Sequence, residues 1–316
     1  MISGPSSYIP TLDEFLAHWA AVNADPAVGT GLVTRDGTTR AALVTLRGTL
    51  ATAAQQVQSA LNLKEIKRAQ VENAKRNGLA RTQELGRRMR GTLPQDSPYL
   101  QAVPELPSQS AGQETFLMPV RDMLDLWTRM DGDGISFTLS GTYSLDDYSD
   151  AYAALALLYT VLNTALMDLK LAREKRNFQQ TRAREILSAY RPAVEGLFPP
   201  DSPLVLTIPL IYPPGGRTPA PVTATGSYNL PTAEAVLAFS QSADPELKEY
   251  QVRGVPGPEY ISEDEVVLAT LLPGAPRSFR TDYSLGQPGT AASFKVYVIL
   301  TTGNEAGSNA VTVTHP

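Results

Sequence analysis

Apolar positions recur at helical spacing through the first two-thirds of the chain and alternate through the last third. Phe15, Leu16, Trp19 and Val22 mark a short amphipathic helix with Thr11 or Asp13 as its N-cap. Beyond a Gly- and Asp-punctuated loop over residues 23–35, Leu43, Leu46, Leu50, Val57 and Leu61 lie on one stripe. They predict a helix over residues 38–90, about 75 Å long at 1.5 Å per residue, with Gly48, Gly78 and Gly86 as points where it can bend. A second short helix follows around Met123, Leu124, Leu126 and Trp127. Ser144 or Asp146 then caps a second long helix to about residue 197, with Tyr152, Leu155, Tyr159, Leu162, Leu166 and Leu169 on its stripe.

The two halves of this helical region repeat. Gly91-Thr-Leu-Pro-Gln-Asp-Ser-Pro98 runs on to Pro104, and Gly196-Leu-Phe-Pro-Pro-Asp-Ser-Pro203 runs on to Pro209, at a constant offset of 105 residues. Trp19 and Trp127 answer one another at an offset of 108, which implies a three-residue indel, and both are expected as core anchors. Two short-long helix pairs with an apolar stripe each suit an antiparallel four-helix bundle. Pro-rich arms over residues 93–114 and 198–221 follow the long helices and should run extended, because proline withholds backbone donors.

From residue 222 onward, seven alternating β-branched runs (222–228, 234–240, 248–255, 266–271, 278–283, 293–301 and 309–314) are separated by turn residues. Their number and spacing specify a β-sandwich. The fold class is therefore multi-domain α plus β, a duplicated helical bundle followed by an all-β, immunoglobulin-like sandwich. The expected domains are residues 1–117 and 118–220, together one bundle, and residues 221–316.

Composition narrows the chemistry. Cysteine is absent, which removes disulfides, thiolate metal sites and a cysteine nucleophile. His18 and His315 are the two histidines, and His18 reads as a surface or capping residue. Asp131-Gly-Asp-Gly134 looks like the start of a calcium loop, but Ile135 and Thr142 occupy later ligand positions. The carboxylates of Asp146 and Asp147, and of Glu263, Asp264 and Glu265, read as a helix cap and an acidic loop more simply than as acid–base pairs. No catalytic residue, cofactor or metal is expected, and the protein is not expected to be an enzyme.

Charge is uneven although the net value is only -5. Residues 61–90 carry nine Lys or Arg against Glu65, Glu72 and Glu84, a solvated helix face rather than a nucleic-acid surface. The second long helix is also basic in its distal half, through Lys170, Arg173, Arg176, Arg182 and Arg184, whereas the tail is acidic. Opposite charge on the two regions suggests head-to-tail contacts between copies.

In the tail, Ala235-Val-Leu-Ala-Phe-Ser240, Tyr250-Gln-Val-Arg253, Leu285-Gly-Gln-Pro-Gly289, Phe294-Lys-Val-Tyr-Val298 and Gly303-Asn-Glu-Ala-Gly-Ser308 before Val311-Thr-Val313 resemble a fibronectin type III module. Phe239 stands where that family usually has tryptophan, and Ala292 where it has a tyrosine. The helical part loosely resembles bacterial proteins of unassigned function that place a helical bundle before such a module. The resemblance implies a spacer or binding role rather than chemistry.

These observations lead to a structural scaffold that self-associates or docks another protein, with no nucleic-acid partner and no membrane insertion. Arg87, Arg88, Arg90, Tyr99, Leu100, Ile211 and Tyr212 are its expected contact residues. The alternative is a carbohydrate- or protein-binding, adhesin-like module with its site on the sandwich loops. The first residues have neither a basic nor an apolar region, so a cytoplasmic location is expected; export by another route, or incorporation into a particle, stays open.

Overall fold

The computed structural model of the chain describes residues 1–2, 4–212 and 217–316. Six α-helices precede eight β-strands among these residues. Helix α1 spans Tyr8–Ala24, α2 Arg40–Thr92, α3 Pro98–Gln101, α4 Gln113–Gly132, α5 Leu145–Glu195 and α6 Pro203–Leu206. Residues 213–216 of the second Pro-rich arm lie outside the described residues.

Helix α1 starts at Tyr8, ahead of the Thr11 or Asp13 cap expected for it. Pro10 sits in its first turn, where no backbone donor is required, and Tyr8 is already a core residue. Asp13 instead accepts two bonds from Arg47, each 2.9 Å. Helix α4 likewise begins before Pro119, because burial of Phe116 and Val120 on one face outweighs one missing backbone bond. Ser144 and Asp147 close a reciprocal cap on α5, at 2.8 and 3.2 Å. Helix α2 runs unbroken past Gly48, Gly78 and Gly86.

The sequence repeat is a repeat of core positions. Tyr8, Leu12, Phe15, Trp19 and Val22 are buried on α1, and 108 residues later Phe116, Val120, Met123, Trp127 and Met130 are buried on α4. Between the long helices the offset is 105, pairing Leu43 with Tyr148, Leu50 with Leu155, Leu85 with Tyr190 and Met89 with Val194, all buried. The short helices α3 and α6 follow at the same offset.

Compactness divides the chain differently from the repeat. One unit comprises Met1–Asn62 with Leu169–Pro316, the other Leu63–Asp168. The first unit has a helical core of α1, the first part of α2 and the last part of α5, closed by Ile208 of the second arm. Val57 and Leu61 pack with Leu169 and Ala172 in a smaller cluster of the same unit. The second unit has a core of α4, the remainder of α2 and the first part of α5, with Phe137 and Leu139 from the loop before α5. Each unit thus takes the short helix and first half-helix of one copy, and the second half-helix of the other.

The first unit also holds the antiparallel β-sandwich. Strands β1 (Ala224–Asn229), β2 (Glu234–Phe239) and β5 (Ser278–Thr281) form one sheet in the order β1-β2-β5. Strands β3 (Leu247–Pro256), β4 (Val266–Leu271), β6 (Ala291–Leu300), β7 (Glu305–Gly307) and β8 (Val311–Thr314) form the other, in the order β4-β3-β6-β7, with β8 also paired to β6. Alternate residues such as Leu237, Val252, Phe294 and Val296 fill the space between the sheets. A Cβ on Gly226 would come within 2.7 Å of Val311, so only glycine permits this approach of β1 to β8.

Candidate interaction surface

Asp264 joins the sandwich to the helices of its own unit. It ends a short 3-10 turn, Ser262–Asp264, at the start of the acidic run, and its side chain is fully buried. The Arg173 guanidinium donates to both Asp264 oxygens, through Nε at 2.9 Å and through Nη2. Arg176 lies 3.9 Å from the same carboxylate and donates to the Glu263 carbonyl. Burial pushes the Arg176 guanidinium down, partly countered by Asp264 and Glu263. Gln58 of α2 adds a bond to the Tyr283 hydroxyl at 3.4 Å. A planar, two-toothed pairing of this kind fixes orientation as well as distance.

Behind this junction Glu265 and Arg253 form a buried network. Arg253 donates to Glu265 at 2.7 Å and to Glu305 at 2.6 and 3.1 Å, and its guanidinium stacks 3.9 Å from the Tyr297 ring. Tyr260 and Tyr297 donate to the other Glu265 oxygen at 2.6 and 3.1 Å. Burial, then the Glu265 charge, raise the Tyr297 hydroxyl to about 12. For Arg253, burial works downward but is outweighed by Glu305 and Glu265, so its net shift is upward. The acidic loop is thus bound up in structure: Asp264 and Glu265 both meet arginines within the same chain.

His18 lies in neither a cap nor a free surface. Its Nδ1 is 2.7 Å from the buried Tyr190 hydroxyl and its Nε2 is 3.3 Å from the hydroxyl of Thr207, the residue that ends α6. Desolvation lowers its pKa below the ordinary 6.5, with Arg191 adding to that and a Leu204 backbone bond opposing it. Asp131 accepts from Ser136 at 2.7 Å and Asp133 from Tyr99. Among the described residues, no group of three or more His, Asp or Glu side chains is placed to hold a metal.

The contact residues expected from sequence fall into two groups. Arg87, Arg88 and Arg90 are exposed near the end of α2 in the second unit, where Tyr99 and Leu100 of α3 are half-buried against the core. In the first unit Ile211 is half-buried against its own core and its carbonyl accepts from Ile2 at 2.6 Å, whereas Tyr212 is exposed. Three of the four apolar residues therefore cover the helical core beside them. Larger exposed apolar side chains lie elsewhere: Phe178 on α5 and Leu206 on α6 in the first unit, and Leu157 and Met167 on α5 in the second. Helix α5 is long and apolar enough to cross a membrane by length and composition, and the same helix supplies Leu155, Tyr159 and Ala165 to buried positions.

Each unit has a cleft. In the first, about 790 Å³ is lined by Leu32, Val33, Arg35, Glu185, Ala189 and Leu197. In the second, about 650 Å³ is lined by Asn77, Arg81, Val120, Tyr143, Tyr148 and Tyr152. The loop before α5 is clamped in the second unit by Glu84, which accepts from the Ser140 backbone at 2.6 Å, and by Arg81, which donates to the Ser140 carbonyl at 3.2 Å. Bonds from Ser140 and the Arg81 pairing lower the Glu84 pKa to about 2.

Sequence reasoning passed over Asp264, Arg173 and Arg176 as partners. A signal was present: Leu169, Ala172, Arg176, Gln180 and Ala183 continue one helical stripe, and all are buried. An arginine on an otherwise uncharged, buried stripe calls for a buried acceptor, most often an acid.

No family model matches the chain, and no curated protein matches it. Among solved structures, an Fn3-like protein from Clostridium thermocellum is similar at 17% identity and a TM-score of 0.25, over 32% of this chain and 96% of that one. Pectate lyase PelI from Erwinia chrysanthemi, in complex with tetragalacturonic acid, is similar at 20% identity and a TM-score of 0.25, over 29% of this chain. Pectate lyase Pel3 from Pectobacterium carotovorum is similar at 13% identity, again with a TM-score of 0.25. The chain spans only 28% and 27% of the length of those two lyases.

Proposed function

We propose that the protein is a non-enzymatic scaffold that self-associates or docks a partner protein. In this reading the sandwich, a fibronectin type III-like module, is the display or docking domain, and the helices of its own unit are the body that carries it. The observation that carries it is the Asp264 junction. A domain meant to move on a linker does not bury a carboxylate between two arginines of its neighbour. Held in this way, the module presents its far edges and loops in a fixed orientation. The strand orders β1-β2-β5 and β4-β3-β6 support the module's type, as do the motifs quoted above.

The opposite charges considered for contacts between copies are in part joined inside one chain, so steering falls to Arg87, Arg88 and Arg90. Exposed pairs contribute about 0–1 kcal/mol each, which leaves affinity to apolar contact. Light scattering after size exclusion, at low and high salt, tests the proposal. A defined oligomer supports the scaffold, and a strict monomer favours the adhesin-like alternative. Replacing Arg87, Arg88 and Arg90 by Glu should slow or misorient assembly without unfolding the chain; unchanged salt dependence would remove those residues from the interface.

A further inference from the structure

We propose that the second Pro-rich arm is an acid-sensitive latch: protonation of His18 loosens residues 203–212 from the helical core that they close, while the first arm, built on the same plan, stays shut. Leu204, Val205, Ile208 and Ile211 of the second arm pack on that core. Helix α6 has only four residues, too few to stand alone, so contact with α1 and α5 holds it in place.

His18 is a polar seat that joins α1, α5 and this arm. The Thr207 hydroxyl donates to the Pro203 carbonyl at 2.7 Å, so towards His18 it is an acceptor, and Nε2 carries the proton. Nδ1 then accepts from Tyr190, a fully buried ring whose hydroxyl has one hydrogen to give. The neutral imidazole satisfies all three groups together. A second proton enters at Nδ1 and sets N–H against O–H. Tyr190 would have to turn its hydrogen towards the Phe15 and Trp19 rings, with centroids 5.6 and 4.7 Å from its own, where there is no oxygen or nitrogen acceptor.

The surrounding charges do not favour the cation either. Burial opposes it most, and Arg191 of α5 adds to that while reaching the Ile208 carbonyl of the arm at 3.5 Å. Glu195 pairs with Arg191 at 3.3 Å. On α1, Asp13 is held by Arg47, and Glu14, one turn before His18, meets the Met1 amine at 3.6 Å. Helix α6 carries no charge, and Asp201 before it is exposed. A backbone bond to Leu204 works the other way and does not outweigh burial. His18 is half-exposed, so a proton reaches it in the folded chain.

The repeat supplies an internal control. At the offsets of 108 for the short helices and 105 elsewhere, His18 corresponds to Leu126, Tyr190 to Leu85 and Thr207 to Ala102. Leu126 and Leu85 are buried in the core on which Tyr99, Leu100 and Val103 of the first arm pack. That seat has nothing to titrate. In the second arm, a released His18 returns to its ordinary 6.5, so opening gains up to about tenfold per pH unit below that value.

The chain has no cysteine, so one introduced thiol reports each arm. Ile208 is 5% exposed and Val103 is its counterpart, which makes Ile208→Cys and Val103→Cys the matched pair. Labelling rates in the full-length protein are divided by those of a free thiol at the same pH. From pH 7 to pH 5 this ratio should rise about fivefold or more at position 208 and stay within about twofold at position 103. His18→Gln, which keeps a polar side chain that cannot titrate, should remove the rise. A flat ratio at 208, a rise that persists with His18→Gln, or an equal rise at 103 overturns the latch. Should Ile208→Cys fail to fold, Leu204→Cys takes its place under the same three outcomes.

Discussion

In the unit that carries the sandwich, Trp19 packs 4.7 Å from Tyr190 and donates its indole N–H to the Leu32 carbonyl at 3.3 Å. In the other unit Trp127 packs 5.7 Å from Tyr148, and its indole N–H has no hydrogen-bond partner among the described residues. The tyrosines are satisfied by different means. Tyr190 meets His18, whereas Tyr148 meets Thr82 at 2.7 Å and is raised to about 12 by burial. A further repeated pair diverges in the same way. Lys75 is buried over the Phe116 ring and donates to the Ala111 carbonyl at 3.0 Å, while Gln180, 105 residues later, is buried with its amide nitrogen unbonded. Two copies of one helical plan have kept their apolar positions and exchanged their polar ones. Apolar packing tolerates any side chain of suitable volume, but each buried polar group needs its own partner.

The largest expected effect lies at the feature that one unit has and the other lacks. Asp264→Ala leaves Arg176, 5% exposed, and Arg173 without their acid, and should cost about 3–5 kcal/mol in denaturant unfolding. Next comes the Lys75 and Gln180 pair. Lys75→Met orphans the Ala111 carbonyl and should cost about 1–3 kcal/mol, whereas Gln180→Met removes an unpaired donor and should be neutral or stabilising by up to about 1 kcal/mol. Equal losses would mean that the two sites are not the different environments described. Smaller still is the tryptophan difference. Trp19→Phe should destabilise more than Trp127→Phe by about 1 kcal/mol, because only Trp19 gives up a hydrogen bond.

The smallest effect is a pH dependence. His18 has its folded-state pKa depressed, so the unfolded chain binds its proton more readily. Its contribution to stability is therefore present above pH 6.5 and is lost as pH falls below that value. Melting temperatures of wild type and His18→Gln should differ most at neutral pH and converge towards pH 5; divergence on acidification would reverse the sign assigned to His18.

Much of this architecture was legible as periodicity. Leu43, Leu50, Trp19 and Trp127 occupy core positions because 3.6-residue spacing is a direct image of which face is buried, and the alternating tail is the image of a two-faced sheet. What periodicity does not encode is pairing across long sequence separations. Arg173 and Asp264 are 91 residues apart, and as isolated charges they look like solvated surface. The same holds for His18 and Tyr190, 172 residues apart. Tyr99, Leu100 and Ile211 looked free because Pro-rich arms lack periodicity, although these side chains turn back onto helical cores. Helix α1 starts at Tyr8, three residues before Thr11, because Thr11 and Asp13 are good cap residues by type while Pro10 is tolerated in a first turn.

The central claim is that a duplicated helical plan has been made unequal by docking a sandwich on one unit through Asp264. Hydrogen exchange on full-length wild type and Asp264→Ala measures this directly, peptide by peptide. Protection should fall in residues 169–180 of α5 and in residues 262–271 of the sandwich, while residues 63–168 keep theirs. Unchanged protection at 169–180, or an equal loss across 63–168, would contradict it.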